Sequence, residues 1–254
     1  MPDYYSDFKF MAYPEQLKAF TKREVVAPIH LRIKPINRCN HDCWYCAYRV
    51  SNLQLGEDIN LQDKIPYDKM LETVDDIVEM GVKAVTFSGG GEPLIYKKLP
   101  ECVERLAKGG VKVASLTNGE NLSGKIADIF AEYGTWIRIS IDAWDDNSYA
   151  EARGIQDGKF TKVIKNMREF SRRNANCVLG ISFIVSEKNY EHLYEACCIF
   201  KDAGVDHVKF SGVVTSNKIS EVNKYHQKIL ATVQKEIKKS MELNDEKFRV
   251  IDLY

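Results

Sequence analysis

The sequence predicts an α/β fold, a partial barrel of six parallel strands with helical extensions at both ends. Short runs rich in β-branched residues alternate with amphipathic stretches from about residue 30 onward. Repeated strand–helix order implies parallel strands joined by helical crossovers. Glycines follow the helical stretches at Gly81, Gly109 and Gly204, where a C-terminal glycine cap belongs. Six such units favour a partial barrel over a flat sheet, although periodicity alone leaves closure open.

Residues 30–212 are expected to form the barrel, between an N-terminal extension (1–29) and a C-terminal segment (213–254). The predicted strands are 30–36, 83–88, 112–117, 136–141, 177–185 and 206–210, and the predicted helices between them are 67–80, 97–109, 122–133, 159–174 and 190–203. The C-terminal segment predicts one long charged helix over 220–243 and a strand-like end. An unpaired terminal strand would be an exposed edge, so either it pairs with the barrel or the chain is a fragment of a longer one.

The composition argues against a nucleic-acid-binding, a membrane-spanning or an exported protein. The 254 residues include 36 Lys and Arg and 36 Asp and Glu, so no net charge attracts nucleic acid or an anionic membrane. No apolar run approaches the ~20 residues that span a bilayer, and the N-terminus lacks the pattern of a signal peptide. We therefore expect a cytoplasmic protein, in which clustered cysteines indicate metal binding or catalysis more than disulfides.

Three cysteines, Cys39, Cys43 and Cys46, follow the first predicted strand. Sites in parallel barrels lie at the C-terminal ends of the strands, and thiolates suit zinc or iron–sulfur ligation. Three ligands are one short of a closed zinc site or of the usual four-cysteine [4Fe–4S] cluster, which leaves a position open for a substrate. His41 could complete a structural zinc site in a binding protein, but an exposed or hydrogen-bonding histidine suits so tight a loop better. A non-catalytic iron–sulfur electron carrier is a further alternative.

A glycine-rich turn, Gly90-Gly91-Glu92-Pro93, follows the second predicted strand. Glycines permit positive φ and let the backbone approach a ligand closely. The Lys and Ser/Thr of a P-loop are missing, and Glu92 would repel phosphate. A carboxylate and backbone carbonyls suit a cationic ligand instead, and a plain βα turn is the alternative.

Other strand ends also carry polar side chains. Asn118, Ser140 and Asp142 can hydrogen-bond sugar hydroxyls or cap the next helix. Arg153 offers a planar fork suited to a carboxylate, with a surface arginine as the alternative. On the fifth predicted strand, Gly180, Ser182 and Ile184 occupy alternate positions and share one face, where small residues would leave room for a ligand.

The spacing Cys-x3-Cys-x2-Cys, with the aromatic Tyr45 before the last cysteine, closely resembles the signature of radical S-adenosylmethionine (SAM) enzymes. The resemblance covers about residues 30–212. It implies one [4Fe–4S] cluster held by the three cysteines, with SAM chelating the fourth iron. Gly90, Gly91, Glu92 and Pro93 match the motif that holds the methionine amino group in that family.

Further roles follow from the same resemblance. Ser140 and Asp142 are expected to approach the ribose and methionine of SAM, with Asn118 as a further candidate, and Arg153 is expected to face the SAM carboxylate. Tyr45 is expected near the adenine through its backbone. The small residues around Ser182 are expected to leave room for that ring.

The reaction implied is reductive cleavage of SAM to a 5′-deoxyadenosyl radical, which abstracts hydrogen from an unidentified peptide or small-molecule substrate. An external electron donor such as flavodoxin or ferredoxin is implied by this mechanism. The other four cysteines are scattered and are expected to be buried thiols, so one cluster is predicted. Tyr48, Arg49 and Lys209 are candidates for substrate contact, with a solvated face as the alternative for each.

Overall fold

The computed structural model describes residues 8–49, 53, 58–173 and 176–254. One sheet of seven parallel strands runs in sequential order from β1 to β7. The strands are β1 His30–Ile33, β2 Ala84–Phe87, β3 Lys112–Thr117, β4 Gly134–Ser140, β5 Val178–Val185, β6 His207–Gly212 and β7 Arg249–Asp252. β1 and β7 are the two edges of this order, so the barrel is partial, as predicted.

Nine α-helices accompany the strands in the described part of the chain. They are α1 Pro14–Lys22, α2 Tyr67–Glu79, α3 Leu99–Lys108, α4 Gly124–Tyr133, α5 Asp146–Arg153, α6 Lys159–Ser171, α7 Leu193–Asp202, α8 Ile219–Gln227 and α9 Leu230–Met241. Within the described residues, no helix combines the length and the apolar character needed to cross a bilayer.

The two faces of the sheet differ because successive strand residues point to opposite sides. Ile137 and Ile139 on β4, and Phe183 on β5, are fully buried in the apolar core between the sheet and the helices. Full burial of such a side chain is worth about 1.5–3 kcal/mol. We call the face of the sheet that carries these residues the outer face. The alternate residues, among them Arg138 and Ser140, form the inner face, which is the more polar of the two.

The C-terminal segment differs from the prediction of one long helix, which is wrong. The chain turns at Lys228 and Ile229 and continues as α9. Val233 and Ile237 of α9 are buried, whereas α8 has no buried residue. Only the second helix therefore has an apolar face to pack.

The terminal strand pairs in parallel with β6, from His207–Arg249 to Phe210–Asp252. Phe248 and Val250 are buried in the core. The segment therefore adds a seventh strand to the six predicted ones.

Candidate active site

The glycine turn after β2 holds the chain where it enters the cysteine loop. Gly91 N donates to Ile36 O at 2.9 Å, and Glu92 N donates to Arg38 O at 3.0 Å. A Cβ on Gly91 would lie 1.9 Å from the Arg38 carbonyl oxygen, so no other residue fits there. Gly90 beside it has a φ of +73°, a conformation that favours glycine. The turn therefore fixes the position of the loop that carries Cys39.

The three cysteines of this loop are partly exposed free thiols. Burial raises the pKa of Cys39 to about 11 and also raises the pKa of Cys46. Such thiols stay protonated near neutral pH unless a metal displaces the proton. No three His, Cys, Asp or Glu side chains of the described residues are grouped so as to hold a single metal ion.

His41 is hydrogen-bonded within the protein, as predicted. Its Nε2 lies 3.1 Å from Oε2 of Glu120, and its side chain is fully buried. Burial, followed by the charge of Arg153, lowers the pKa of His41 to about 4, so the ring is neutral near pH 7. Its other nitrogen, Nδ1, has no hydrogen-bond partner among the described residues.

Glu120 is a site residue that sequence reasoning missed. Its carboxylate accepts hydrogen bonds from Asn40 in the cysteine loop, at 2.8 Å, and from Lys159 and Lys162 on α6. Burial opposes ionisation, but the bonds from the two lysines and His41 lower the pKa of Glu120 to about 2. The ionised carboxylate therefore ties the cysteine loop to α6. The only sequence signal was the i, i+3 spacing of the lysines.

Glu92 is buried at the junction of the glycine turn and the end of β3. Its carboxylate accepts from Leu94 N at 2.9 Å, Thr117 Oγ1 at 2.6 Å and Asn118 N at 2.8 Å. Burial raises the pKa of Glu92. The Asn118 side chain donates to Asn40 Oδ1 at 2.8 Å. Both predicted residues are thus built into the contact between β3 and the cysteine loop.

Asp142 and Arg153 form a buried ion pair at the end of β4. Arg153 Nη2 donates to Asp142 Oδ2 at 2.7 Å and to Ser140 Oγ at 3.2 Å. Ile184 N donates to the other carboxylate oxygen of Asp142 at 2.8 Å, and the Tyr45 hydroxyl also donates to Asp142. Tyr45 therefore enters the site through its side chain, a contact that the sequence did not predict.

Arg153 reaches the cysteine loop as well as Asp142. Its Nη1 lies 3.4 Å from Cys43 Sγ, and its backbone carbonyl accepts from Asp42 N at 2.8 Å. The guanidinium also faces the rings of Tyr45 and Tyr149, at 5.6 and 5.5 Å. The residue is only 3% exposed, so the surface arginine considered from the sequence is ruled out.

A cleft of about 240 Å³ brings most of these groups together. Its lining includes Cys39, Cys43, Gly91, Glu92, Asn118, Ser140, Arg153 and Ser182. Pro93 is buried beside it and begins a short 3₁₀ helix, while Tyr45 and Asp142 line a neighbouring cleft. Nε of Arg153, like Nδ1 of His41, has no hydrogen-bond partner among the described residues. Buried polar atoms of this kind are normally satisfied, so the cleft suits a polar ligand.

The space beside Gly180 was predicted to be open to a ligand, but it is filled. A Cβ built there would lie 2.3 Å from Cε1 of His207, because the histidine ring occupies the place that the missing side chain leaves. The expectation that Gly180 leaves room for adenine is therefore wrong. Ser182, one inward position further along β5, does line the cleft.

Comparison with known proteins identifies the family. Residues 33–197 match the model of the radical SAM superfamily, which is more than half of the chain. The chain belongs to the radical SAM superfamily. Enzymes of this family use a [4Fe–4S] cluster and SAM. Cys39 and Cys43 of the cleft are donors suited to such a cluster and its polar side chains suit SAM, whereas Cys46 is not among the residues that line it.

Individual relatives agree with the assignment. The chain is 32% identical over 183 residues to the pre-heme d1 synthase of Dinoroseobacter shibae, an alignment that covers 71% of this chain and 42% of that protein. It is 25% identical to a probable GTP 3′,8-cyclase of Sulfolobus acidocaldarius, over 70% of this chain and 54% of the relative. The chain thus spans about half the length of these curated relatives.

Solved structures share the fold. The crystal structure of Streptococcus suis SuiB bound to S-adenosylmethionine superposes with a TM-score of 0.66 at 14% identity, covering 100% of this chain and 58% of SuiB. At that identity the likeness establishes the partial-barrel architecture of radical SAM enzymes and nothing more specific.

Proposed function

We propose that the chain is the SAM-cleaving core of an enzyme that generates a 5′-deoxyadenosyl radical and uses it to abstract hydrogen from a small-molecule or peptide substrate. One observation carries the proposal. Cys39 and Cys43 share a single cleft with Glu92, Ser140 and Arg153 at the C-terminal ends of the parallel strands, which is where barrels of this kind place their chemistry.

Cys39, Cys43 and Cys46 are the proposed cluster ligands. The alternative is a closed zinc site with His41 as fourth ligand: Nε2 bonds to Glu120, which leaves Nδ1 for a metal, and the reconstitution experiment below distinguishes the two sites. Two sets of hydrogen bonds hold the cysteine loop in place. On one side it bonds to the backbone of the glycine turn, and on the other Asn40 and His41 bond to Glu120.

When bound, the cluster supplies the electron that splits SAM into methionine and the radical. The protein supplies orientation. Glu92 uses three of the roughly four acceptor positions of a carboxylate on its own chain, so about one remains on Oε2 for the methionine ammonium. Gly90, Gly91 and Pro93 shape that turn, and Asn118 completes its polar lining.

Other residues of the cleft would hold the remaining parts of SAM. Arg153 has an unsatisfied Nε and a planar fork suited to the carboxylate. Ser140 and Asp142 are proposed to approach the ribose and methionine, Tyr45 the adenine through its backbone, and Ser182 the adenine from the inner face.

The electron would come from an external donor such as a flavodoxin or ferredoxin. Cys102, Cys177 and Cys197, outside the loop, are separately buried on α3, before β5 and on α7. Burial raises the pKa of each, to about 11 for Cys102 and about 12 for the other two. Cys198 on α7 is partly exposed, so the expectation of a buried thiol is wrong at that position.

Anaerobic reconstitution tests the proposal. The chain is loaded with iron and sulfide, reduced with dithionite and mixed with SAM, and 5′-deoxyadenosine is measured. We expect a brown protein that forms 5′-deoxyadenosine in a cluster-dependent way. A zinc protein would stay colourless, and an electron carrier would turn brown and be reduced but leave SAM intact; either result would refute the proposal.

A further inference from the structure

The C-terminal end of α5 is docked on the cysteine loop. Asp42 N donates to the backbone carbonyl of Arg153, the last residue of the helix, at 2.8 Å. Gly154 follows with a φ of +58°, and a Cβ there would lie 2.7 Å from the Asp42 carbonyl oxygen. The close approach therefore depends on glycine at this position. It brings the side chain of Arg153 to the second cysteine of the loop.

The sulfur atoms of Cys39 and Cys43 accept from different kinds of donor. Cys39 Sγ accepts from the backbone N–H of His41 at 3.4 Å. Cys43 Sγ accepts from a charged group, Nη1 of Arg153, at 3.4 Å. Hydrogen bonds in which the donor carries a charge are stronger than those between neutral groups. The guanidinium is therefore directed at one of the three proposed cluster ligands.

Other contacts hold this guanidinium in place. Its Nη2 donates to the buried carboxylate of Asp142 at 2.7 Å. The ring centroids of Tyr45 and Tyr149 lie 5.6 and 5.5 Å from its central carbon. Arg153 is buried, so solvent screens its charge much less than it screens an exposed arginine. In surroundings of low effective dielectric constant, the bond to the sulfur is electrostatically stronger than it would be in water.

Resting on the proposed function, we propose that Arg153 raises the reduction potential of the cluster through its hydrogen bond to the sulfur of Cys43. Reduction by the external donor adds one electron, and hence one negative charge, to the cluster. A cationic donor aimed at a sulfur ligand stabilises the reduced state more than the oxidised state, and hydrogen bonds to the sulfurs are among the factors that set such potentials. Asp142 carries the opposite charge on the same guanidinium, so it works against this effect.

Redox titration of the reconstituted full chain, followed by electron paramagnetic resonance without SAM, measures this potential. Arg153→Gln should shift the reduction equilibrium towards the oxidised cluster about threefold to tenfold, where tenfold is about 59 mV for one electron. Asp142→Asn removes the opposing charge, so its potential should rise above that of the wild type. A purely structural role of the ion pair would not move the two potentials in opposite directions.

Arg49→Gln is the matched control, because it removes the same charge from the cysteine loop. Arg49 donates to Asp42, whose side chain is 72% exposed, so solvent screens this pair. Its potential should change less than that of Arg153→Gln. The double variant Arg153→Gln with Asp142→Asn leaves no unpaired charge in the core, and it keeps the test available if a single variant does not fold. Its potential should fall below the wild-type value because the bond to Cys43 is lost.

Thermal melts check the fold of every variant, and iron analysis checks its cluster content. The inference is overturned if Arg153→Gln and the double variant keep the wild-type potential, or if Asp142→Asn lowers it. It is also overturned if Arg49→Gln lowers the potential as much as Arg153→Gln does. Each of these results leaves the proposed function standing if the wild type still cleaves SAM. Potentials that shift as expected in a protein that leaves SAM intact would refute the proposed function alone.

Discussion

The outer and inner faces of the same strands are built on different chemistry. On β4, Ile137 and Ile139 enter the apolar core, whereas Arg138 and Ser140 face the cleft. The outer face requires apolar volume, which many sequences can supply. The inner face and strand ends keep Arg153, Asp142 and other charged groups away from water, at a cost that pairing only partly offsets. Apolar burial is concentrated on one face and the proposed chemistry on the other.

The largest effect of all should be the loss of bound iron when a cluster ligand is substituted. Cys43→Ala should abolish the brown chromophore and bound iron after reconstitution, because two thiols remain in the loop. Cys198→Ala, a partly exposed cysteine on α7, is the control and should retain full iron content. Iron analysis and visible absorbance measure both. Normal iron in Cys43→Ala would refute the ligand assignment.

Breaking the buried ion pair at the end of β4 should give the largest loss of stability. Asp142→Ala leaves Arg153 buried without its partner, so the free energy of unfolding should fall by about 3–5 kcal/mol. The exposed pair of Arg173 with Asp128 offers a control, and Asp128→Ala should cost about 0–1 kcal/mol. Chemical denaturation measures both. Equal losses would contradict the contrast between buried and exposed charges.

An outer-face substitution should affect stability alone. Ile139→Ala should lower the free energy of unfolding by about 2–5 kcal/mol through lost burial and the cavity left behind. Iron content and SAM affinity should not change at a temperature where the variant is folded. A selective loss of SAM affinity would show that the two faces are not separable.

The inner-face histidine should make stability depend on pH. The pKa of His207 is about 4 in the fold, against an ordinary value of 6.5. Above pH 6.5 the ring is neutral in both states; below it, only the unfolded chain takes up the proton. Wild-type stability should therefore fall between pH 6.5 and 4 by about 3 kcal/mol from this residue. His207→Gln should remove that part of the slope in denaturation curves, and an unchanged slope would contradict the burial of a neutral ring.

Glu92 should show the smallest effect on the cofactors, a loss of SAM affinity, together with some loss of stability because an amide cannot accept all three hydrogen bonds of the buried carboxylate. Glu92→Gln preserves the size of the side chain and removes the charge proposed to meet the SAM ammonium, so the dissociation constant of SAM should rise about tenfold or more. Iron content should stay at the wild-type level. Equilibrium binding to the reconstituted protein measures this, and unchanged SAM affinity would show that the glycine turn is structural only.

Most of the strands and helices could be predicted, because the sequence patterns that indicate them are local. Apolar periodicity and glycine caps located all six predicted strands, although β1 ends at Ile33, three residues early. Helix α5 was missed because its start depends on a capping box of Asp145 and Ser148 within a polar stretch. The division of the last helix depends on which residues pack, and periodicity did not reveal that α8 buries none.

The parts of the site that could be predicted are those in which residues lie at a fixed, short spacing in the sequence. The cysteine loop and glycine turn were found as short motifs, but the contacts between distant segments were not. Glu120 meets His41 across 79 positions, and Tyr45 meets Asp142 across 97. Such contacts form because the fold brings the ends of different strands together, and no local sequence pattern predicts that. The filling of the space beside Gly180 by His207 is a cross-strand effect of the same kind.

Electron paramagnetic resonance of the reconstituted, reduced protein tests the central claim most directly. The spectrum is recorded with and without SAM labelled with ¹⁵N at the methionine amine and ¹⁷O at the carboxylate. If Cys39, Cys43 and Cys46 leave one iron open, SAM should change the spectrum and both labels should show hyperfine coupling to the cluster. A cluster spectrum unaffected by saturating SAM would contradict the account.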